Sequence, residues 1–277
     1  MRPELLRWIE KMRSAWNPGD VHPSMPVHRK IWEWAYITEA LFERGMLAPG
    51  RRGLGFGVGR DPLAALFAGL GCEIVATDLD VEEAARDGWV ESGQHASALD
   101  DLNAYGICPP DVFRRSVTFR SVDMRQIPTD LRSFDFTWSA CSFEHLGSLK
   151  AGEEFLLNQM STLRPSGVAV HTTEFNVSSD DETVEAGGTV LYRRSDIERM
   201  KIELRRRGHL IDVDYDSGHS PADLHVDRPP FSSTHLKLEL DRFVATSIGL
   251  IVEKAPTEAR GRRLFSRAKT RIGLSRG

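Results

Sequence analysis

Three groups of side chains in this 277-residue chain are of types and spacings that could do chemistry. The first is a glycine run, Gly53-Leu54-Gly55-Phe56-Gly57-Val58-Gly59, followed by Arg60-Asp61-Pro62 and an apolar stretch. Glycines two apart let a backbone turn sharply and approach a ligand, since any Cβ would collide with it. The helix expected next offers unpaired N–H groups at its start, and Pro62 suits its first turn. The second is Asp78, which ends the apolar stretch Glu73-Ile74-Val75-Ala76-Thr77 and lies 19 residues after Gly59. A carboxylate at such a strand tip can accept both hydroxyls of a ribose. The third is titratable: Glu144-His145 just past the apolar run 134–140, Glu174 at the tip of the strand that holds His171, and Asp223, His225, Asp227 and His235 farther on. Histidine is the natural base near neutral pH. Strand alternation sends His171 and Glu174 to opposite faces. Each group also has a plainer reading, as a structural turn, a helix cap or a core hydrogen bond.

Alternating elements must position these groups. Leu5, Leu6, Ile9 and Met12 have helical spacing over 1–16, a breaker-rich loop follows at 17–26, and a second helix is predicted over 28–46. Strands are predicted at 53–57, 73–77, 117–122, 134–140, 167–175, 210–215 and 243–253. Helices are predicted at 61–70, 81–87, 150–163 and 195–207, the last with Ser195 as N-cap and Glu198 at the capping-box position. This alternation predicts an α/β fold: a Rossmann-like, doubly wound, mostly parallel seven-stranded sheet with helices on both faces. The domain reading is an N-terminal helical lid at 1–48, a main domain at 49–255 and a basic tail at 256–277, expected to be mobile. Residues 216–241 are too long for a tight hairpin and read as an acceptor-side insertion.

The glycine turn and Asp78 suit either a nicotinamide dinucleotide or S-adenosylmethionine. A dinucleotide fingerprint spaces its glycines G-x-G-x-x-G, whereas this chain has G-x-G-x-G. Here the chain resembles the class I S-adenosylmethionine-dependent methyltransferases, over residues 50–175 and more loosely to 254. Gly55, Gly57 and Gly59 look like the family's first motif, and Asp78, followed by Leu79, looks like its ribose-binding acid. Ser121-Val122-Asp123-Met124 resembles the strand tip that holds the adenine. Phe134-Asp135-Phe136-Thr137-Trp138-Ser139-Ala140 resembles the strand whose end lies beneath the methionine part, and Leu163-Arg164-Pro165-Ser166-Gly167 resembles the turn before the fifth strand. The resemblance implies S-adenosyl-L-methionine as cofactor, a transferase activity, and cofactor contacts from the residues just named together with Trp34 and Ser139. One position departs. The family has an acid two residues before the first glycine, facing the cofactor's amino group; Gly53 stands here, which leaves Glu33 or Trp34 to hold the ammonium.

Methyl transfer needs the acceptor atom in line with the sulfonium carbon at about 3–3.5 Å. A hydroxyl acceptor also needs a base or a metal. The candidate catalytic residues are His145, Glu144 and Glu174; the candidate acceptor contacts are His225, Asp227 and His235; and the acids and histidines of 216–241 leave room for a divalent ion such as Mg. Carboxylates and imidazoles suit a sugar, an oligosaccharide or another polyhydroxylated molecule. The chain lacks the Asn/Asp-Pro-Pro-Tyr motif of amino-methylating enzymes after 134–140. Trp32-Glu33-Trp34-Ala35-Tyr36, His171-Thr172-Thr173-Glu174-Phe175-Asn176 and His235-Leu236-Lys237-Leu238 are similar to bacterial polysaccharide methyltransferases of the methylmannose polysaccharide type. An NAD(P)-dependent oxidoreductase and a non-catalytic Rossmann-like binding module are the rival readings. A net charge of −4 and a pI near 6.2 give no attraction to nucleic acid. No apolar stretch reaches the ~18–20 residues of a membrane span. Cys72, Cys108 and Cys141 are odd in number and widely spaced, which fits a reducing cytoplasm. A homodimer is the further expectation.

Overall fold

The computed structural model describes residues 3–13, 28–86, 88–91, 93–231 and 235–256. The expected loop at 17–26 and the basic tail past Pro256 lie outside the described residues. Two helices, α1 (Pro3–Arg13) and α2 (Arg29–Glu43), precede an alternating run: β1 (Arg52–Gly55), α3 (Leu63–Gly69), β2 (Glu73–Asp78), α4 (Val81–Arg86), α5 (Pro110–Ser116), β3 (Val117–Ser121), β4 (Phe134–Ala140), α6 (Leu149–Asn158) and β5 (Leu163–Asn176). The chain continues through α7 (Arg194–Arg206), β6 (Leu210–Val213), α8 (Pro221–Leu224), β7 (Val226–Asp227), β8 (Lys237–Leu240) and β9 (Phe243–Glu253).

The strands lie in the order β3-β2-β1-β4-β5-β9-β8-β7, with β6 also paired to β9. The first five run parallel, and β9 returns antiparallel beside β5. Every residue of β4 is buried, as expected of a central strand covered by helices on both faces. From β1 the chain winds outward to β2 and β3, then crosses back to β4. That reversal opens a crevice at the strands' C-terminal ends, where ligands bind in open α/β sheets.

The sheet has nine strands rather than the expected seven. The eleven-residue β9 is long enough for two partners on one edge: β6 pairs with 250–253 and β8 with 243–246. The stretch read as an insertion therefore supplies α8, β7 and β8. Two helix boundaries also differ from expectation. Residues 159–161 form a 3-10 turn instead of extending α6, because Phe134 N–H takes the Thr162 carbonyl and draws Leu163 into β5. The N-cap of α7 is Arg193, not Ser195. The Asp196 carboxylate accepts from the Arg193 N–H, while Glu198 accepts from Lys201 and Tyr215.

Charge holds α2 against the sheet. Glu33 is wholly buried, accepts from Ser247 Oγ of β9 at 2.5 Å and pairs with Lys30 Nζ at 3.2 Å. Lys30 also donates to the Ala140 carbonyl at the end of β4, at 2.6 Å, and Arg29 pairs with Glu174 at the tip of β5. Burial disfavours the Glu33 charge, yet Lys30 and Arg29 outweigh it and hold the carboxyl down at about 2. Glu33→Gln should therefore cost about 3 kcal/mol, because it leaves buried cations undercompensated. The Glu33 contribution is complete above its ordinary value of 4.5 and is lost as pH falls toward about 2. Urea unfolding should show the gap between wild type and variant narrowing across that window.

Candidate active site

Past β1 the backbone turns through Gly57 (φ +53°) and Gly59 (φ +52°), in the left-handed region that glycine adopts without strain. A Cβ on Gly57 would stand 2.8 Å from Ser142 Cβ and 3.1 Å from Met124 Sδ; one on Gly59 would stand 2.7 Å from the Gln94 carbonyl. Gly55 serves packing instead. Its Cβ would meet the Trp138 ring at 2.5 Å, and it does not line the cavity. The turn is stitched to β2: Gly59 N–H donates to Asp78 Oδ2 at 2.9 Å, and Val58 N–H donates to the Thr77 carbonyl. Asp78 Oδ1 accepts from Leu79 N–H at 2.8 Å, which leaves that oxygen a second lone pair. Burial raises the Asp78 carboxyl, against the pull of these amides and of His95.

Around the turn opens a cavity of 540 Å³, within the range of small-ligand sites. Gly57, Gly59, Asp78, Leu79, Asp123, Met124 and Trp34, all expected at a cofactor site, line it together. Asp123 chelates Arg125. Trp89 and Gln94 come from the segment after α4, which folds back so that His95 Nε2 donates to the Leu79 carbonyl at 2.8 Å. Asp61 also lines the wall and was not singled out from sequence; its only signal was its place directly after the glycine turn. Burial raises its carboxyl to about 6, against Lys30 and the Trp34 indole. Glu33, the other residue proposed for an ammonium, lies beneath α2 and does not reach the cavity.

Ser139 does not line the cavity either. It sits one residue before Ala140 on the opposite face of β4, where its hydroxyl meets His171 Nδ1 at 2.8 Å in the core. Burial lowers the His171 imidazole to about 3, so it stays neutral. Glu144 and Glu174 are buried below the floor: Glu144 accepts from Thr173 Oγ1 at 3.1 Å and Glu174 pairs with Arg29. His145 does line the cavity, with Nδ1 bonded to the Gly188 carbonyl at 2.8 Å and its ring against the edge of Trp89.

Of the acceptor candidates, His235 lines the cavity and Asp227 joins it from behind, Asp227 Oδ2 to His235 Nδ1 at 2.7 Å. His225 follows α8 on the surface, and Asp223 caps α8 by accepting from Ser220 N–H. The acids and histidines of 216–241 thus do not converge on a cation. Among the described residues, the three-residue group with ligand spacing is Cys141, Glu144 and Glu174. There Arg29 and Lys30 supply the positive charge.

No helix among the described residues is long and apolar enough to cross a membrane. No family model and no curated protein sequence matches the chain. Solved structures do resemble it. Magnesium protoporphyrin IX methyltransferase from Synechocystis PCC 6803, with bound SAH, superposes with a TM-score of 0.51 at 12% identity, over 90% of this chain and 95% of that one. The [4+2]-cyclase SpnF gives 0.53 at 15% identity, over 91% and 94%. Phosphoethanolamine N-methyltransferase 2 of Haemonchus contortus, in complex with S-adenosyl-L-methionine, gives 0.50 at 15% identity, over 80% and 53%. The chain has the class I S-adenosylmethionine-dependent methyltransferase fold.

Proposed function

We propose that this chain transfers a methyl group from S-adenosylmethionine to a hydroxyl of a sugar or another small polyhydroxylated acceptor. The observation that carries the reading is a cavity whose lining joins the Gly57/Gly59 turn and Asp78 to three imidazoles, the stacked His28 and His235 and, apart from them, His145. The cofactor would supply the methyl group as a sulfonium. Asp78 Oδ1 keeps a lone pair that would take the ribose, Asp123 and Met124 line the cavity where the adenine would sit, and a Cβ at Gly57 would fill the cradle. With Gly53 lacking a side chain, Asp61 is the wall carboxylate left for the cofactor ammonium. Imidazoles suit a hydroxyl acceptor, because such a nucleophile must lose a proton as it attacks.

Calorimetry checks the cofactor half. Gly57→Val should weaken S-adenosylmethionine binding on the order of 100-fold, about 2.7 kcal/mol. Asp61→Asn should weaken the same ligand roughly tenfold yet leave 5′-methylthioadenosine, which has no amino-acid group, unaffected. The acceptor half is checked with labelled S-adenosylmethionine and a fractionated pool of oligosaccharides and polyols. Label should appear in base-stable ethers; label confined to amines would overturn the hydroxyl reading.

A further inference from the structure

We infer that His235, oriented by Asp227, is the general base that removes the acceptor's proton. This assignment rests on the methyl-transfer reading above. Asp227 on β7 is 2% exposed and its Oδ2 lies 2.7 Å from His235 Nδ1. A carboxylate only accepts, so the ring proton sits on Nδ1 and the lone pair is left on Nε2. This arrangement, a buried carboxylate fixing the tautomer of an imidazole in a cavity wall, is how a histidine is set up to receive a proton.

The surroundings favour the charge that would form. His28, the N-cap of α2, stacks on His235 with ring centroids 4.9 Å apart. Its Nδ1 accepts from Lys30 N–H at 3.1 Å, so its own proton is on Nε2. Burial, and then His235 itself, lower His28 to about 4, so this neighbour stays neutral and does not repel an imidazolium. The other charges facing the pair come from the first turn of α2. Arg29 is neutralised by Glu174 and Lys30 by Glu33, and the Arg29 N–H holds the His235 carbonyl at 3.0 Å. Phe231 closes the remaining side with an edge contact at 5.3 Å.

Ring contacts separate His235 from His145. Asp123 follows β3 and Asp78 ends β2, so the nucleoside-binding acids lie to one side of the glycine turn; β8, which His235 precedes, lies beyond β4, β5 and β9 on the other. His145 leans on Trp89, from the segment after α4, with ring centroids 4.5 Å apart. His145 follows β4, so strand order sets it nearer the glycine turn than His235, and its ring contact faces the segment after β2. In the step proposed, the hydroxyl proton passes to His235 Nε2 as the oxygen's electron pair forms the new bond to the methyl carbon. The carbon–sulfur bond breaks with its pair left on sulfur, giving an ether and a neutral thioether, and the imidazolium later releases its proton to water.

The test uses the full chain, S-adenosylmethionine and the pool fraction that becomes labelled. His235→Asn should lower kcat on the order of 10²- to 10⁴-fold while calorimetric cofactor affinity stays within about twofold, which shows the fold and the cradle to be intact. Added imidazole should partly restore turnover to His235→Ala, an effect that a structural role would not produce. Asp227→Asn should lower kcat less, since the ring keeps its place and loses the carboxylate that fixes its tautomer. His145→Ala should raise the cofactor KM and keep the acidic limb of the kcat/KM profile in place. A wild type that transfers methyl, with His235→Asn retaining its kcat or His145→Ala erasing the limb, overturns the base assignment alone. A wild type that binds the cofactor and labels no acceptor overturns the methyl-transfer reading and this assignment together.

Discussion

The hydrogen bonds between the turn after β1 and the tip of β2 are the constraint on which the site depends. Gly59 N–H reaches Asp78 Oδ2, Val58 N–H reaches the Thr77 carbonyl, and Thr77 Oγ1 returns to the Gly55 carbonyl at 2.7 Å. Two glycines with positive φ are needed to aim those amides at the next strand. The same bonds fix the carboxylate that faces the cavity. A turn that served only to reverse the chain would have no need to recruit a buried acid, because burying a charge without hydrogen bonds is costly.

A second layer of charge sits beneath the cavity and does different work. Arg29, Lys30, Glu33 and Glu174 bind the start of α2 to the ends of β4 and β5 and, through Ser247, to the middle of β9. This brings His28, Arg29, Lys30 and Trp34 to the cavity wall from a helix that precedes β1 in sequence. The cavity therefore has a floor from the alternating βα units and a second wall from α2, with their relative placement set by paired buried charges. The SpnF resemblance shows why chemistry has to be argued from these walls: a fold shared with methyltransferases is also that of a protein named for a cycloaddition.

The sequence told most about elements whose signal is local. The five parallel strands, the glycine turn, Asp78, Asp123 and Met124 were legible because each depends on a short run of residues: alternation, positive φ or a strand tip. Glu144 and Glu174 show where such reading stops. Their positions next to strand ends suggested the cavity, yet both side chains turn into the core and meet Thr173 and Arg29. Ser139 went the same way, since a one-residue step along β4 exchanges the cavity face for the core face. The extra strands were missed because β7 has two residues and β8 four, too few to show a period, and they exist only by pairing with each other and, through β8, with the long β9.

What the sequence by itself determined is the glycine turn and the Asp78 carboxylate beside it, because a turn and the adjacent strand tip are set by backbone preferences within about thirty residues. Only the tertiary structure decided the cavity wall made by His28 and His235. His28, Asp227 and His235 meet because β8 docks on β9 and α2 docks across the sheet. Those contacts span some two hundred positions of chain, and no local pattern records which distant histidine will stand beside which carboxylate.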